Sequence, residues 1–193
     1  LTLNGGTIAG ANSVTINGNL NLVDGTIAGN GPANLTTCRL TSLTGGSSTA
    51  YISSPFTRCV DRSGIYRFPV GSNGVYSPVE LSNISGTGSF TVEPRTGAVV
   101  GGTGFPVNRM NRHWITSTSS VTQADIVFMY ADTEVVGLEA RYRLWSINGG
   151  NAQIVPASIN NTTNRVSATG VTTFATFSMA EAPSIAQTLK GRV

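Results

Sequence analysis

The start of the chain alternates apolar and polar positions in a pattern that repeats. Residues 1–10 read LTLNGGTIAG, and LNLVDGTIAG follows nineteen residues later from Leu20, with seven of ten positions identical. A period of about twenty residues, made of short strands and glycine corners, is typical of a β-solenoid, whose rungs bury their apolar side chains only against a stacked neighbour. The alternation therefore predicts a short solenoid-like segment with these side chains inward: Leu1, Leu3, Ile8, Val14, Ile16, Leu20, Leu22 and Ile27.

From about residue 63 onward the alternation runs over longer segments. Turn-forming clusters separate these segments, among them GSNG at 71–74 and NGGN at 148–151. Period-two runs divided by turn signals, with no long run at the helical period of about 3.6 residues, predict an antiparallel β-sandwich. The predicted strands are residues 64–70, 75–81, 89–93, 113–117, 125–131, 141–147, 152–156, 165–168 and 171–179.

The predicted fold is therefore all-β, with a short N-terminal β-solenoid-like segment followed by an antiparallel β-sandwich. We divide the chain into three parts on this basis. Residues 1–60 form the solenoid-like segment and a transition, residues 61–180 form the sandwich, and residues 181–193 form an extended C-terminal tail.

Composition narrows the class of protein. Only 11% of the residues are charged, against roughly a quarter in ordinary soluble domains. The formal net charge is +3, and the basic residues are spread thinly with no basic run, so nucleic acid is not an expected partner. No stretch reaches the ~20 apolar residues of a membrane helix, so membrane insertion is not expected either. Surfaces of Gly, Ser, Thr and Asn suit an extracellular setting.

The chain contains two cysteines, Cys38 and Cys59. We expect them to form a disulfide, which for a loop of this size is worth about 3 kcal/mol in the chain-entropy model. The alternative is a pair of free buried thiols. Two cysteines without a cluster of histidines do not indicate a zinc site.

The second part of the chain resembles a known group of modules. The residues that carry the likeness are FPVG at 68–71, YSPVEL at 76–81, GTGSFTVE at 86–93, NRHW at 111–114, ADIVFMY at 124–130, EARYRLW at 139–145 and ATGVTTF at 168–174. This order of motifs resembles β-rich modules of large secreted, adhesin-like surface proteins from bacteria that use type IX secretion. The resemblance covers roughly residues 60–180, and it implies a non-enzymatic module on the cell surface.

Catalysis is not expected from the residues present. His113 is the only histidine, it lies in a strand pattern next to Trp114, and no nucleophile-elbow motif is present. Glycoside hydrolysis needs two carboxylates at a controlled separation, and the solenoid part offers only Asp24. We therefore predict that the protein is not an enzyme, with a polysaccharide-active fragment as the third interpretation.

No cofactor is expected, apart from a candidate structural Ca²⁺ site. Asp132, Glu134 and Glu139 lie close in the sequence, and clustered oxygen ligands suit Ca²⁺. The alternative is a solvated turn, because the spacing lacks the dense Asp/Asn/Gly pattern of a calcium loop.

Aromatic residues could serve a carbohydrate ligand or the core. A stacking platform would be formed by Trp114, Trp145, Tyr66, Tyr76 and Tyr142. Their strand positions favour packing in the core or on a sheet face.

Together these observations predict a non-enzymatic extracellular structural protein, a subunit of a cell-surface fibre or adhesin that assembles through β-strand addition between chains. The expected partner is another copy, joined head to tail into a homopolymer through Leu1, Leu3, Ile185 and Leu189. The alternative is a carbohydrate-binding or adhesion module of a larger secreted surface protein, with surface glycans as partners.

Overall fold

The computed structural model describes residues 1–10, 14–29, 35–62, 64–99 and 104–182, with the backbone alone at residues 10, 29 and 35–41. The first half contains strands β1 (Thr2–Gly10), β2 (Thr15–Gly29), β3 (Leu35–Gly45), β4 (Ala50–Ile52), β5 (Phe56–Val60), β6 (Tyr66–Phe68), β7 (Gly71–Ser72), β8 (Val75–Tyr76), β9 (Val79–Gly86) and β10 (Gly88–Thr96). The second half contains β11 (Arg109–Thr118), β12 (Val121–Met129), β13 (Tyr142–Asn148), β14 (Asn151–Val155), β15 (Ser158–Asn160), β16 (Arg165–Val171) and β17 (Thr176–Glu181). Two short 3-10 turns, Asp132–Glu134 and Glu139–Arg141, precede β13.

One large sheet contains both kinds of strand pairing. Its order is β1-β2-β3-β5-β10-β11-β17-β13-β14, with β4 also paired to β2. The pairs from β1 to β5 are parallel, as expected for stacked solenoid rungs, and the pairs from β5 to β14 are antiparallel. The solenoid-like segment therefore continues directly into the sandwich.

A second sheet and one hairpin complete the fold. The second sheet is antiparallel, in the order β15-β16-β12-β9-β6, and β7 and β8 form a separate hairpin. The hairpin turns at Asn73 and Gly74, which both have positive φ, as a turn of this kind requires. The prediction of an all-β fold with a solenoid-like start and an antiparallel sandwich is confirmed.

The core is a single cluster of buried side chains drawn from both sheets. Aromatic rings occupy its centre, with the Trp114 and Phe128 centroids 4.9 Å apart and the Phe128 and Phe177 centroids 5.2 Å apart. The cluster extends without a break to Leu20 and Leu22 of the solenoid-like segment. Because the sheet and core both continue past residue 60, the two parts share their hydrophobic stabilisation; the three-part division stays a prediction.

The structure corrects three strand assignments. Residues 171–179 are not one strand, because β16 ends at Val171 in the smaller sheet and β17 begins at Thr176 in the larger one. Residues 75–81 divide at Ser77 and Pro78, and a proline cannot donate to a strand ladder. The short strand β15 was not predicted. Among the described residues, no helix is long and apolar enough to cross a membrane.

Candidate functional site

Strand β1 stacks on its own near-copy in β2. The parallel pairing puts Leu3 opposite Leu22, Thr7 opposite Thr26 and Ile8 opposite Ile27. β2 is the only described strand that pairs with β1, and β1 therefore lies at the edge of the large sheet. No other described strand pairs with the outer side of β1, and an edge strand of this kind presents its backbone N–H and C=O groups for pairing.

A glycine corner divides this edge into two straight pieces. Gly5 and Gly6 have φ of +100° and +73°, values that residues other than glycine rarely adopt. The register with β2 shifts between Leu3 and Asn4 and again between Asn4 and Thr7. An incoming strand can therefore pair with residues 2–4 or with residues 7–10, but it would have to bend to follow both.

Polar side chains line the outer surface of the stacked rungs. The Thr7 and Thr26 hydroxyl oxygens lie 3.2 Å apart, and the Thr44 hydroxyl donates to Asn21 Oδ1 at 2.9 Å. These contacts join equivalent positions on successive rungs. The edge of β1 carries no charged residue and no proline, the features with which proteins commonly block strand edges.

The structure places two of the four predicted assembly residues. Leu3 is buried, as predicted, but Leu1 is 52% exposed and its assignment to the interior is wrong. Leu1 precedes β1. Its ammonium group donates to Asn19 O at 2.8 Å, and its carbonyl oxygen accepts from Asn21 N at 2.9 Å. These two bonds tie the main chain of Leu1 to β2, while its side chain stays in solvent. Ile185 and Leu189 lie outside the described residues.

Cys59 is disulfide-bonded. It lies on β5, the strand that connects the parallel and antiparallel parts of the large sheet. The side chain of its predicted partner, Cys38, lies outside the described residues. The pairing of Cys38 with Cys59 therefore stays a prediction.

The three carboxylates proposed for calcium take separate partners. Glu134 pairs with the buried Arg112, Asp132 accepts a hydrogen bond from Asn164 Nδ2 at 2.8 Å, and Glu139 accepts from the Tyr130 hydroxyl at 2.5 Å. Within the described part of the chain, no group of three or more His, Cys, Asp or Glu residues could hold a metal ion. The sequence brought these carboxylates close along the chain, but the fold turns them to different neighbours, and the calcium hypothesis is not supported.

His113 makes a structural contact. Its Nδ1 lies 3.0 Å from Gly97 O, and because a carbonyl oxygen only accepts hydrogen bonds, Nδ1 carries a proton. Burial lowers the pKa of His113 below its ordinary value, with the nearby Arg95 and Arg112 acting in the same direction against this hydrogen bond. This hydrogen bond joins β11 to the main chain at Gly97. The expectation that the protein is not an enzyme stays a prediction.

The aromatic platform is not formed. Trp114, Trp145 and Tyr142 are buried, and the indole N–H groups donate to Ser77 O and Ala180 O. Only Tyr66 and Tyr76 keep partial exposure, and each lies beside an arginine. Core packing, the alternative weighed from the sequence, applies to the two tryptophans and Tyr142.

A polar groove of about 490 Å³ lies between the second 3-10 turn and β15. Its lining residues are Glu139, Ala140, Tyr142, Arg143, Ala157, Ile159, Asn160 and Asn161. A carboxylate, a guanidinium and two amides beside apolar walls can hydrogen-bond a polyhydroxylated ligand. The sequence interpretation missed this groove, because its lining residues lie apart along the chain, at 139–143 and 157–161.

No family model, curated protein or solved structure matches this chain. The resemblance to secreted bacterial surface modules therefore stays a prediction.

Proposed function

We propose that the protein is an extracellular structural protein, a subunit of a cell-surface fibre or adhesin that assembles by adding strands between copies. The observation that carries the proposal is the free edge of β1. The nine residues of this edge, divided by the corner at Gly5 and Gly6, include no charged residue and no proline. Proteins that avoid edge pairing usually place such residues there.

Main-chain hydrogen bonds would supply most of the attraction at this edge. The way in which β1 stacks on β2 supports the idea, because two copies of one sequence pattern pair there with their leucines, threonines and isoleucines aligned. The free side of β1 presents the same backbone spacing to a strand from another molecule. An addition that does not close into a ring produces a fibre.

Location outside the cell is part of the proposal. The disulfide at Cys59 supports it, since disulfides persist mainly in oxidising compartments. The low charged fraction of 11% and the Thr and Asn side chains on the outer surface of the rungs fit the same setting.

The proposal is tested by the assembly state of the full chain. Sedimentation velocity over a range of protein concentrations, with negative-stain electron microscopy, should show a series of oligomers or filaments. Ala9→Lys places a charge at an exposed position on the free edge and should remove species larger than the monomer. The matched control is Gln123→Lys, an exposed position on β12, which has partners on both sides.

Two results would contradict this function. One is a monomer at every concentration. The other is an Ala9→Lys variant that assembles as well as Gln123→Lys. Circular dichroism and the melting temperature of each variant show whether the fold is intact.

A second candidate function, carbohydrate binding, is favoured by the polar groove at Glu139 and Asn160. A glycan array with the parent chain and with Arg143→Ala tests it, because Arg143 is exposed and its loss should not disturb the core. Binding that Arg143→Ala abolishes supports a glycan site. An array without hits, or hits that the substitution leaves unchanged, contradicts it.

A further inference from the structure

The large sheet ends at β1 and at β14, and among the described residues neither of these strands has a second strand partner. β1 forms one end and β14 the other, and β13 is the only described strand that pairs with β14. Both edge strands therefore belong to one continuous sheet. Joining β14 of one copy to β1 of the next would extend this sheet from molecule to molecule.

Strand direction decides how the two edges could pair. β1, β2, β3 and β5 run in one direction, and each later neighbour along the sheet reverses it. After these five reversals, β14 runs opposite to β1. If the sheet keeps its faces from one copy to the next, β14 and β1 meet as an antiparallel pair, the more stable of the two ladder types per residue.

Neither edge is protected by charge. Residues 1–23 and residues 144–164 contain no Asp, Glu, Lys, Arg or His. Ile154 on β14 is 48% exposed, and Leu1 next to β1 is 52% exposed. Uncharged edges with exposed apolar side chains favour pairing with another chain.

The smaller sheet, in contrast, has a protected edge at β6. Arg58 reaches across from β5 and donates through Nη1 to Arg67 O at 2.6 Å, which satisfies a carbonyl of this edge strand. Its guanidinium lies 5.4 Å from the centre of the Tyr66 ring. The opposite edge, β15, has only three residues. Within the described part of the chain, the edges of the smaller sheet are thus blocked or short, whereas both edges of the large sheet lack a covering strand.

We infer that β14 of one copy is the strand that pairs with β1 of the next copy, in antiparallel orientation. This inference rests on the proposed function and names the partner of the β1 edge. It differs from the sequence expectation, in which Ile185 and Leu189 of the C-terminal tail take part in the contact between copies.

Cysteine cross-linking tests the contact directly. Thr2 on β1 and Ala152 on β14 both alternate with positions that face the core. Thr2 precedes the buried Leu3. Ala152 pairs with Ile147, which follows the buried Ser146. A chain with both Thr2→Cys and Ala152→Cys should form a ladder of disulfide-linked multimers on a non-reducing gel. Each single variant should give little cross-linking, because equivalent edges do not meet in a head-to-tail array. Peptide mapping should identify a linkage between the two introduced cysteines and exclude exchange with the native ones.

Edge blocking separates this inference from the proposed function. Ala152→Lys should reduce assembly to the monomer, as Ala9→Lys does, while Gln123→Lys and deletion of residues 183–193 leave it unchanged. If Ala152→Lys assembles normally and Ala9→Lys does not, β14 is the wrong partner and the proposed function stands. Loss of assembly on deletion of the tail would identify the tail as the added strand and overturn the inference. A parent chain that is monomeric throughout overturns both.

Discussion

Arg112 and Glu134 form an ion pair inside the protein, with Arg112 Nε 2.7 Å from Glu134 Oε1 and neither side chain more than 4% exposed. Arg112 lies on β11, and Glu134 lies in the 3-10 turn Asp132–Glu134. The backbone N–H of Ala131, the residue before this turn, donates to Glu134 Oε2. The same guanidinium donates to the hydroxyl and carbonyl oxygens of Ser72 in the β7–β8 hairpin. One pair of charges thus joins the large sheet, the hairpin and a loop.

Removing one member of this pair should destabilise the protein strongly. Glu134→Gln leaves the Arg112 charge buried without its counterion, and such a change costs about 3–5 kcal/mol. Replacing both residues, as Arg112→Met with Glu134→Leu, should cost much less than the sum of the single changes. The control is Glu80→Gln, which breaks the more exposed pair with Arg165 and should cost at most ~1 kcal/mol. Equal unfolding free energies in urea for Glu134→Gln and Glu80→Gln would refute this.

Gly25→Ala should destabilise the stacked rungs. Gly25 has φ +92°, and a Cβ there would lie 2.2 Å from the carbonyl oxygen of Gly6 on the next rung. The conformational strain alone is worth ~1–2 kcal/mol, and separating the rungs adds to it. Gly18→Ala is the matched control, since Gly18 has φ +94° with no atom within 4 Å of its Cβ position. The difference between the urea unfolding free energies of the two variants measures the cost of placing a Cβ against the carbonyl oxygen of Gly6. Equal unfolding free energies would contradict this cost.

Leu20→Ala should lower the stability of the sandwich as well as that of the rungs. Leu20 is fully buried in the core cluster that also contains Trp114, and truncation of a buried leucine costs about 2–5 kcal/mol. Tryptophan fluorescence reports only on β11 and β13, so a shifted fluorescence transition shows that the two parts unfold together. Val23→Ala, at a half-exposed position, is the control. An unchanged fluorescence midpoint for Leu20→Ala would mean that the two parts unfold independently.

Stability should fall as the pH drops below 6.5, in part because of His113. Burial lowers the pKa of this histidine in the folded protein from its ordinary value of 6.5, so the unfolded chain binds more protons in the interval between the two values. The contribution of the neutral His113 to the free energy of unfolding is complete above pH 6.5. It is lost as the pH falls through the pKa of His113 in the folded protein. His113→Gln keeps a polar side chain and should flatten the pH dependence of the melting temperature in this interval. If the melting temperature changes with pH equally in the parent and in His113→Gln, groups other than His113 cause the change.

Reduction of the disulfide should weaken the connection between the rungs and the sandwich. Cys59→Ser should lower the free energy of unfolding by about 3 kcal/mol. Alkylation followed by mass spectrometry, with and without reductant, identifies the partner. Modification of Cys38 only after reduction confirms the predicted pairing, whereas modification of Cys38 without reductant rejects it.

The features that the sequence by itself determined are local ones. The near-copy at Leu20 predicted stacked rungs, and the pair Asn73–Gly74 predicted a tight turn. Both follow from short-range physics, because glycine and asparagine accept positive φ and a period-two pattern places alternate side chains on opposite faces. The inward positions Leu3, Ile16 and Leu22 were correct for the same reason.

The tertiary structure decided everything that depends on distant partners. It inserted β17 between β11 and β13, paired Glu134 with Arg112, buried Trp114 and Trp145, and left Leu1 in solvent. A period-two pattern states which side of a strand is apolar, but it does not state in which sheet the strand lies or which neighbour it meets. Those outcomes follow from long-range strand pairing, and so does the placement of β1 and β14 at opposite ends of one sheet.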